Sequence, residues 1–235
     1  MKRILVAAAA AAFTMSISTA PAQAADIVEA WASVKVPPPP VLKPVTVDPK
    51  TTALLMLDFM SQSCGKRASC VATIPAMKQL LAAARTAKAT VIYSITANTT
   101  TADVIKDVAP QAGEAHVQSG PDKFINTDLD KILKEKGIKT VIAAGTASNG
   151  AVLYTASGAA FRGMNVVIPV DGMSAVDPYA DLGTALTFMS APTVAAGTML
   201  TRSGMIKFGC CRVGGALNSC RERTPAALRA GPSPS

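Results

Sequence analysis

The sequence predicts a single three-layer α/β/α domain on a mostly parallel sheet, and three observations carry that prediction. Short continuous apolar runs recur at 52–57, 90–95, 140–144 and 165–170, as strands buried on both faces require. Segments with apolar residues at helical spacing lie between them, and strands alternating with helices build a parallel sheet covered on both sides. With 235 residues, 49% of them hydrophobic, the chain can bury one good-sized core.

The domain does not begin at residue 1. Lys2 and Arg3 precede an apolar run from Ile4 to Phe13, and Ala22-Gln23-Ala24 supplies the small residues of a signal-peptidase site. The run is too short to span a bilayer, so residues 1–24 are expected to be a signal peptide cleaved after Ala24, with no membrane span afterwards. Cleavage removes two cations and no acid, taking the formal charge from +8 to +6. Aromatic residues make up only 4% of the chain, and no dense Lys/Arg run occurs. The stacking platform and phosphate stripe of a nucleic-acid binder are therefore missing. A periplasmic or secreted location is expected.

Export also governs how the five cysteines read. Cys64 and Cys70 close a short loop, while Cys210, Cys211 and Cys220 cluster near the C-terminus. An oxidising compartment favours disulfides, pairing Cys64 with Cys70 and one of Cys210 or Cys211 with Cys220. One thiol is left over or pairs outside the chain. With a single histidine, His116, and no Cys-x-x-Cys spacing, no metal site is expected.

In chain order, residues 25–50 carry four consecutive prolines, Pro37 to Pro40, and Pro44, which favour an extended arm and exclude helix or central strand. The run 52–57 then reads as a buried strand ending at Asp58, at the carboxyl edge where open α/β sheets bind ligands. A polar loop holds Cys64 and Cys70, and 74–87 reads as an amphipathic helix with Ile74, Met77, Leu80, Leu81 and Ala84 on one face. Strand 90–95 is followed by a loop at the same edge and a short helix ending before Pro110. Residues 116–124 are polar and turn-rich. Thr127 can cap a helix over 128–136 that stops at Gly137. Strand 140–144 leads to the turn Gly145 to Gly150 and a helix ending at Gly163; strand 165–170, a helix over 179–190 and an extended segment near 198–201 complete the pattern. Beyond Phe208 the 209–235 tail is rich in Arg, Gly and Pro.

The turn Gly145-Thr-Ala-Ser-Asn-Gly150 gathers backbone N–H groups at a helix N-terminus, a ready oxyanion site. It lacks the spacing of a dinucleotide loop, a P-loop or a serine-hydrolase elbow, so no cofactor is implied. Ser148 reads as the helix N-cap rather than a nucleophile. Lys123 can sit beside Asp58 if its loop crosses the sheet edge, or it can be a solvated surface lysine.

Residues 51–208 resemble the isochorismatase-like cysteine hydrolases, the superfamily of nicotinamidases and N-carbamoyl amidohydrolases. The resemblance rests on Leu54-Leu-Met-Leu-Asp58, on Phe124-x-x-Thr-Asp-Leu129 with Gly137-Ile-Lys-Thr-Val, on Gly145-Thr-Ala-Ser-Asn-Gly-Ala-Val152 with Thr155-Ala156, and on Gly163-Met-Asn-Val-Val-Ile-Pro-Val-Asp171. It implies that fold, a homo-oligomer and an Asp–Lys–Cys site acting on a small molecule. Asp58 matches the acid. The lysine position falls on Gln118, with Lys123 the nearest cation, and the cysteine position falls on Ala151. Gln118, Phe124, Ser148, Asn149 and Gly150 are the expected ligand or oxyanion contacts.

Alanine cannot attack a carbonyl, which leaves two function classes. One is a divergent hydrolase of a small amide or ester, with Asp58 activating water and the 148–151 backbone holding the oxyanion. The other is a binding protein that keeps the pocket and has lost the chemistry.

Overall fold

A computed structural model describes residues 26–209. The described residues fall into two units, 26–39 and 40–209. In the first, Asp26 Oδ1 accepts the N–H groups of Val28 and Glu29 at 2.8 and 2.9 Å, opening a short turn ahead of the prolines.

The second unit carries the fold. Its strands are Val45–Val47 (β1), Thr52–Leu57 (β2), Thr90–Ile95 (β3), Ala115–Gln118 (β4), Thr140–Thr146 (β5), Asn165–Pro169 (β6), Met173–Ser174 (β7), Thr198–Thr201 (β8) and Ile206–Phe208 (β9). The helices are Ala68–Val71 (α1), Ile74–Thr86 (α2), Leu129–Glu135 (α3), Leu153–Phe161 (α4), Pro178–Ser190 (α5) and Val194–Gly197 (α6). The main sheet runs β4-β3-β2-β5-β6-β8, with β7 on the far end of β5 and every strand pairing parallel.

Residue alternation along β2 divides the core into two layers, because successive side chains leave a strand on opposite faces. Leu54 and Met56 pack with α2, through Met77, Leu80, Leu81 and Ala84, and with Val45, Val47 and Ile206. Ala53, Leu55 and Leu57 pack on the other face with Leu133 of α3, Ala156 and Ala159 of α4, and Phe188 of α5. Three layers result, as the alternation of elements predicts.

Several expectations are corrected in detail. The Pro-rich stretch ends in a strand after all: β1 pairs parallel with β9 in a separate two-stranded sheet, where no N–H of a central strand is demanded of a proline. The turn-rich stretch at 116–124 begins with β4, an edge strand along β3 on which only Val117 is buried; its period-2 signal is too short and polar to read. The short helix expected before Pro110 is two 3₁₀ turns, Thr101–Asp103 and Lys106–Val108. Thr127 does meet the start of α3, accepting the Leu129 N–H at 3.2 Å, although Asp128 occupies the cap position.

The Cys64–Cys70 disulfide is formed. The proposed pairing of Cys210 or Cys211 with Cys220, the signal peptide and the tail beyond Gly209 all lie outside the described residues. No helix among the described residues is long and apolar enough to cross a membrane.

Candidate functional site

The carboxyl edge of the sheet is assembled from three strand ends. Leu57 of β2 is in register with Ser94 of β3 and with Gly145 of β5, so Asp58, the residue after Leu57, emerges between the two neighbouring strands. The approach on the β5 side is so close that a Cβ on Gly145, whose φ is 151°, would stand 2.1 Å from the Leu57 carbonyl oxygen. Glycine is required there.

Both oxygens of Asp58 are engaged. Ser94 Oγ donates to Oδ1 at 2.7 Å and Lys123 Nζ donates to Oδ2 at 2.7 Å. Lys123 is only 1% exposed, and its ammonium also donates to the carbonyls of Gly120 at 2.9 Å and Ser119 at 3.4 Å. Its three N–H bonds are thus committed within the protein. Its backbone N–H donates to Thr155 Oγ1 at 3.2 Å, fastening the loop to α4. Each Asp58 oxygen keeps a further lone pair, and the side chain retains 11% exposure, enough for a small polar atom to approach.

The structure therefore distinguishes the two lysine-position candidates. Lys123 meets Asp58. Gln118 stands at the end of β4, where its amide Nε2 donates to the carbonyls of Thr96 at 2.8 Å and Thr99 at 3.2 Å. His116, on the same edge strand, is exposed.

Beyond β5 the peptide Thr146–Ala147 is cis, and Ser148–Val152 forms a π-helical turn that runs directly into α4. This corrects the expected role of Ser148. Ala147 holds the cap position, no side-chain cap bond is made, and Ser148 Oγ is buried without a hydrogen-bond partner. The wider π turn draws the serine inward instead of presenting it to the first free N–H groups. Ala151 is also buried, and Asn149 is exposed. The Gly150 N–H is already taken by the Ala147 carbonyl at 3.0 Å, which removes it from the expected oxyanion donors. Phe124, expected as a ligand contact, belongs to the core: it packs where a Cβ on Gly158 would come within 2.9 Å of its ring, and Arg162 lies over its face at 4.0 Å. That cation–π contact holds the residue next to Lys123 against the end of α4.

The parallel sheet thus brings a buried acid–lysine pair and a helix start to one carboxyl edge. Residues 52–199 match the isochorismatase domain, and the chain belongs to that family. It is 26% identical over 144 residues to the secreted isochorismatase effector Isc1 of Verticillium dahliae, covering 55% of this chain and 76% of that protein. Among solved structures, it is similar to a cysteine hydrolase from Pseudomonas syringae, with a TM-score of 0.60 and 22% identity over 70% of this chain and 94% of the other. An N-carbamoylsarcosine amidase from Thermoplasma acidophilum gives a TM-score of 0.56 at 20% identity, over 70% and 99% of the two chains. A nicotinamidase from Staphylococcus aureus gives 0.57 at 18%, over 65% and 99%. These structural likenesses establish the fold.

Proposed function

We propose that this chain is an exported isochorismatase-family hydrolase of small amides or esters in which water replaces a cysteine thiol as nucleophile. The observation that carries the reading is the Asp58–Lys123 pair. Taking a carboxylate and an ammonium out of water costs several kcal/mol per ion (about that order after relaxation), and apolar residues of similar volume would serve the fold as well. A buried pair of this kind at the ligand edge of an α/β sheet supports a functional demand.

In the proposed reaction Asp58 takes a proton from water as the oxygen bonds to the substrate carbonyl carbon. The tetrahedral oxyanion is held by N–H groups of Ser148, Asn149 or Ala151 at the helix start, and the leaving amine or alcohol departs with the proton from Asp58. Lys123 does not touch substrate; its hydrogen bond to Oδ2 keeps Asp58 oriented. The signal-peptide pattern and the secreted relative support export.

A second reading, a ligand-binding protein without turnover, is favoured by one observation: a buried alanine, Ala151, stands in the π turn where the family resemblance puts the cysteine. One experiment separates the two. A panel of small amides and esters is assayed with wild type, Asp58→Asn and Ala151→Cys. Wild-type hydrolysis lost in Asp58→Asn supports water-mediated catalysis. Turnover appearing only in Ala151→Cys supports the binding protein, and equal activity in wild type and Asp58→Asn overturns the assignment of Asp58.

A further inference from the structure

Asp58 has a backbone φ of 55°. That left-handed conformation is sparsely populated by residues bearing a Cβ and persists only where the surroundings over-determine it. The constraint comes from the segment that follows. The Met60 N–H donates to the Asp58 carbonyl at 2.7 Å, the Ile105 N–H to the Phe59 carbonyl at 2.9 Å, and the Ser61 N–H to the Asp103 carbonyl at 2.8 Å. The Met60 carbonyl in turn accepts the N–H groups of Ser63 and Gly65, both at 3.2 Å. Immediately after, Cys64 and Cys70, both 0% exposed, are joined by the disulfide. At its far side, Ser69 Oγ donates at 2.8 Å to the carbonyl of Ala175, the residue after β7, and β7 lies beside Gly145 and Thr146 of β5.

The segment 59–70 thus bridges the sheet edge from Asp58 to the strand pair that leads into the π turn. We propose that the Cys64–Cys70 disulfide is the positioning device for Asp58: by closing this bridge it holds the left-handed residue so that its two oxygens meet Ser94 and Lys123. A cross-link of this kind removes the alternative conformations the bridge would otherwise sample. Without it, Asp58 relaxes towards an ordinary backbone conformation and its carboxylate leaves Lys123. The inference deepens the reading of Asp58 as the site's acid, and it concerns geometry that can be measured whether or not the protein turns over a substrate.

Lys123 reports on that geometry, since a buried ammonium held by three acceptors resists acylation. Wild type, Cys64→Ala/Cys70→Ala and Asp58→Asn are treated with N-hydroxysuccinimide acetate, and acetylation of each lysine is followed by mass spectrometry of peptides. Asp58→Asn sets the rate of a lysine that has lost its charged partner. The double cysteine variant is expected to acetylate Lys123 at least tenfold faster than wild type (about the rate of Asp58→Asn), with exposed Lys78 unchanged. A wild-type rate at Lys123 in the folded double variant overturns the proposal. So does a rise accompanied by faster hydrogen exchange throughout β2, which marks general loosening. If the double variant fails to fold, wild type with the disulfide reduced by tris(2-carboxyethyl)phosphine and still folded by circular dichroism decides: a rise of at least about threefold at Lys123 supports the proposal, and the rate of the oxidised protein overturns it. An inactive wild type in the hydrolysis panel leaves the acetylation result standing, so the two failures are distinguishable.

Discussion

Lys123 reaches across 65 residues of chain to place its ammonium 2.7 Å from Asp58 Oδ2, with 1% of the lysine side chain exposed. Removing one partner of such a pair leaves an uncompensated charge in the protein. Lys123→Met keeps the volume and is expected to lower unfolding stability by about 3 kcal/mol, the lower end of the range because Asp58 keeps some water contact and its bond from Ser94. Adding Asp58→Asn to that variant is expected to recover part of the loss. Urea unfolding of the single and double variants checks both.

Gly145 bounds how the site edge can vary. A methyl group there would meet backbone, the Leu57 carbonyl, rather than a movable side-chain end. Gly145→Ala is expected to destabilise by more than about 4 kcal/mol or to prevent folding, which expression yield and thermal unfolding measure. A variant within about 1 kcal/mol of wild type would contradict the register of β2 against β5.

Tyr93 gives an alkaline signature. Its hydroxyl donates to the Val108 carbonyl at 2.9 Å and accepts from Arg85 Nη2 at 3.1 Å, while Arg85 forks onto Glu114 at 2.8 and 2.7 Å. Burial pushes the Tyr93 phenol well above its usual value near 10, with the Arg85 guanidinium pulling the other way. Because the folded value is raised, this stabilisation is complete below the unfolded phenol's pKa and is lost as pH rises above it. The slope for one such group is about 1.4 kcal/mol per pH unit. Tyr93→Phe is expected to cost about 1 kcal/mol near neutrality and to lose stability less steeply than wild type above pH ~10, read from urea unfolding at a series of pH values.

The disulfide also contributes to global stability. Its cysteines are six residues apart, and restricting so short a loop in the unfolded chain is worth about 2 kcal/mol. Cys64→Ala/Cys70→Ala is expected to unfold more easily by that amount, with the sheet retained by circular dichroism.

The main strands and helices were legible because their period is local: the six apolar residues of β2 and the 74, 77, 80, 81, 84 face of α2 announce their own packing. The short elements were not. β1, β7 and β9 span three, two and three residues, too few for any periodicity, and exist because a partner strand lies beside them. The Ser148 turn misled for a different reason. A serine ahead of a helix signals a cap, but the chain enters α4 through a π turn, and that choice is made by packing against α5 and β5.

By itself the sequence determined the order of the main strands and helices, the parallel α/β class, the family, and the placing of Asp58 at a strand's carboxyl end. These follow from local patterning and from motifs in a fixed order. Only the tertiary structure decided that Lys123, and not Gln118, completes the pair with Asp58, that Phe124 belongs to the core, and that Gly150 has no N–H to offer. Each depends on where a loop folds back across the sheet, and the energy of such a contact is set by residues distant in sequence that no local period records.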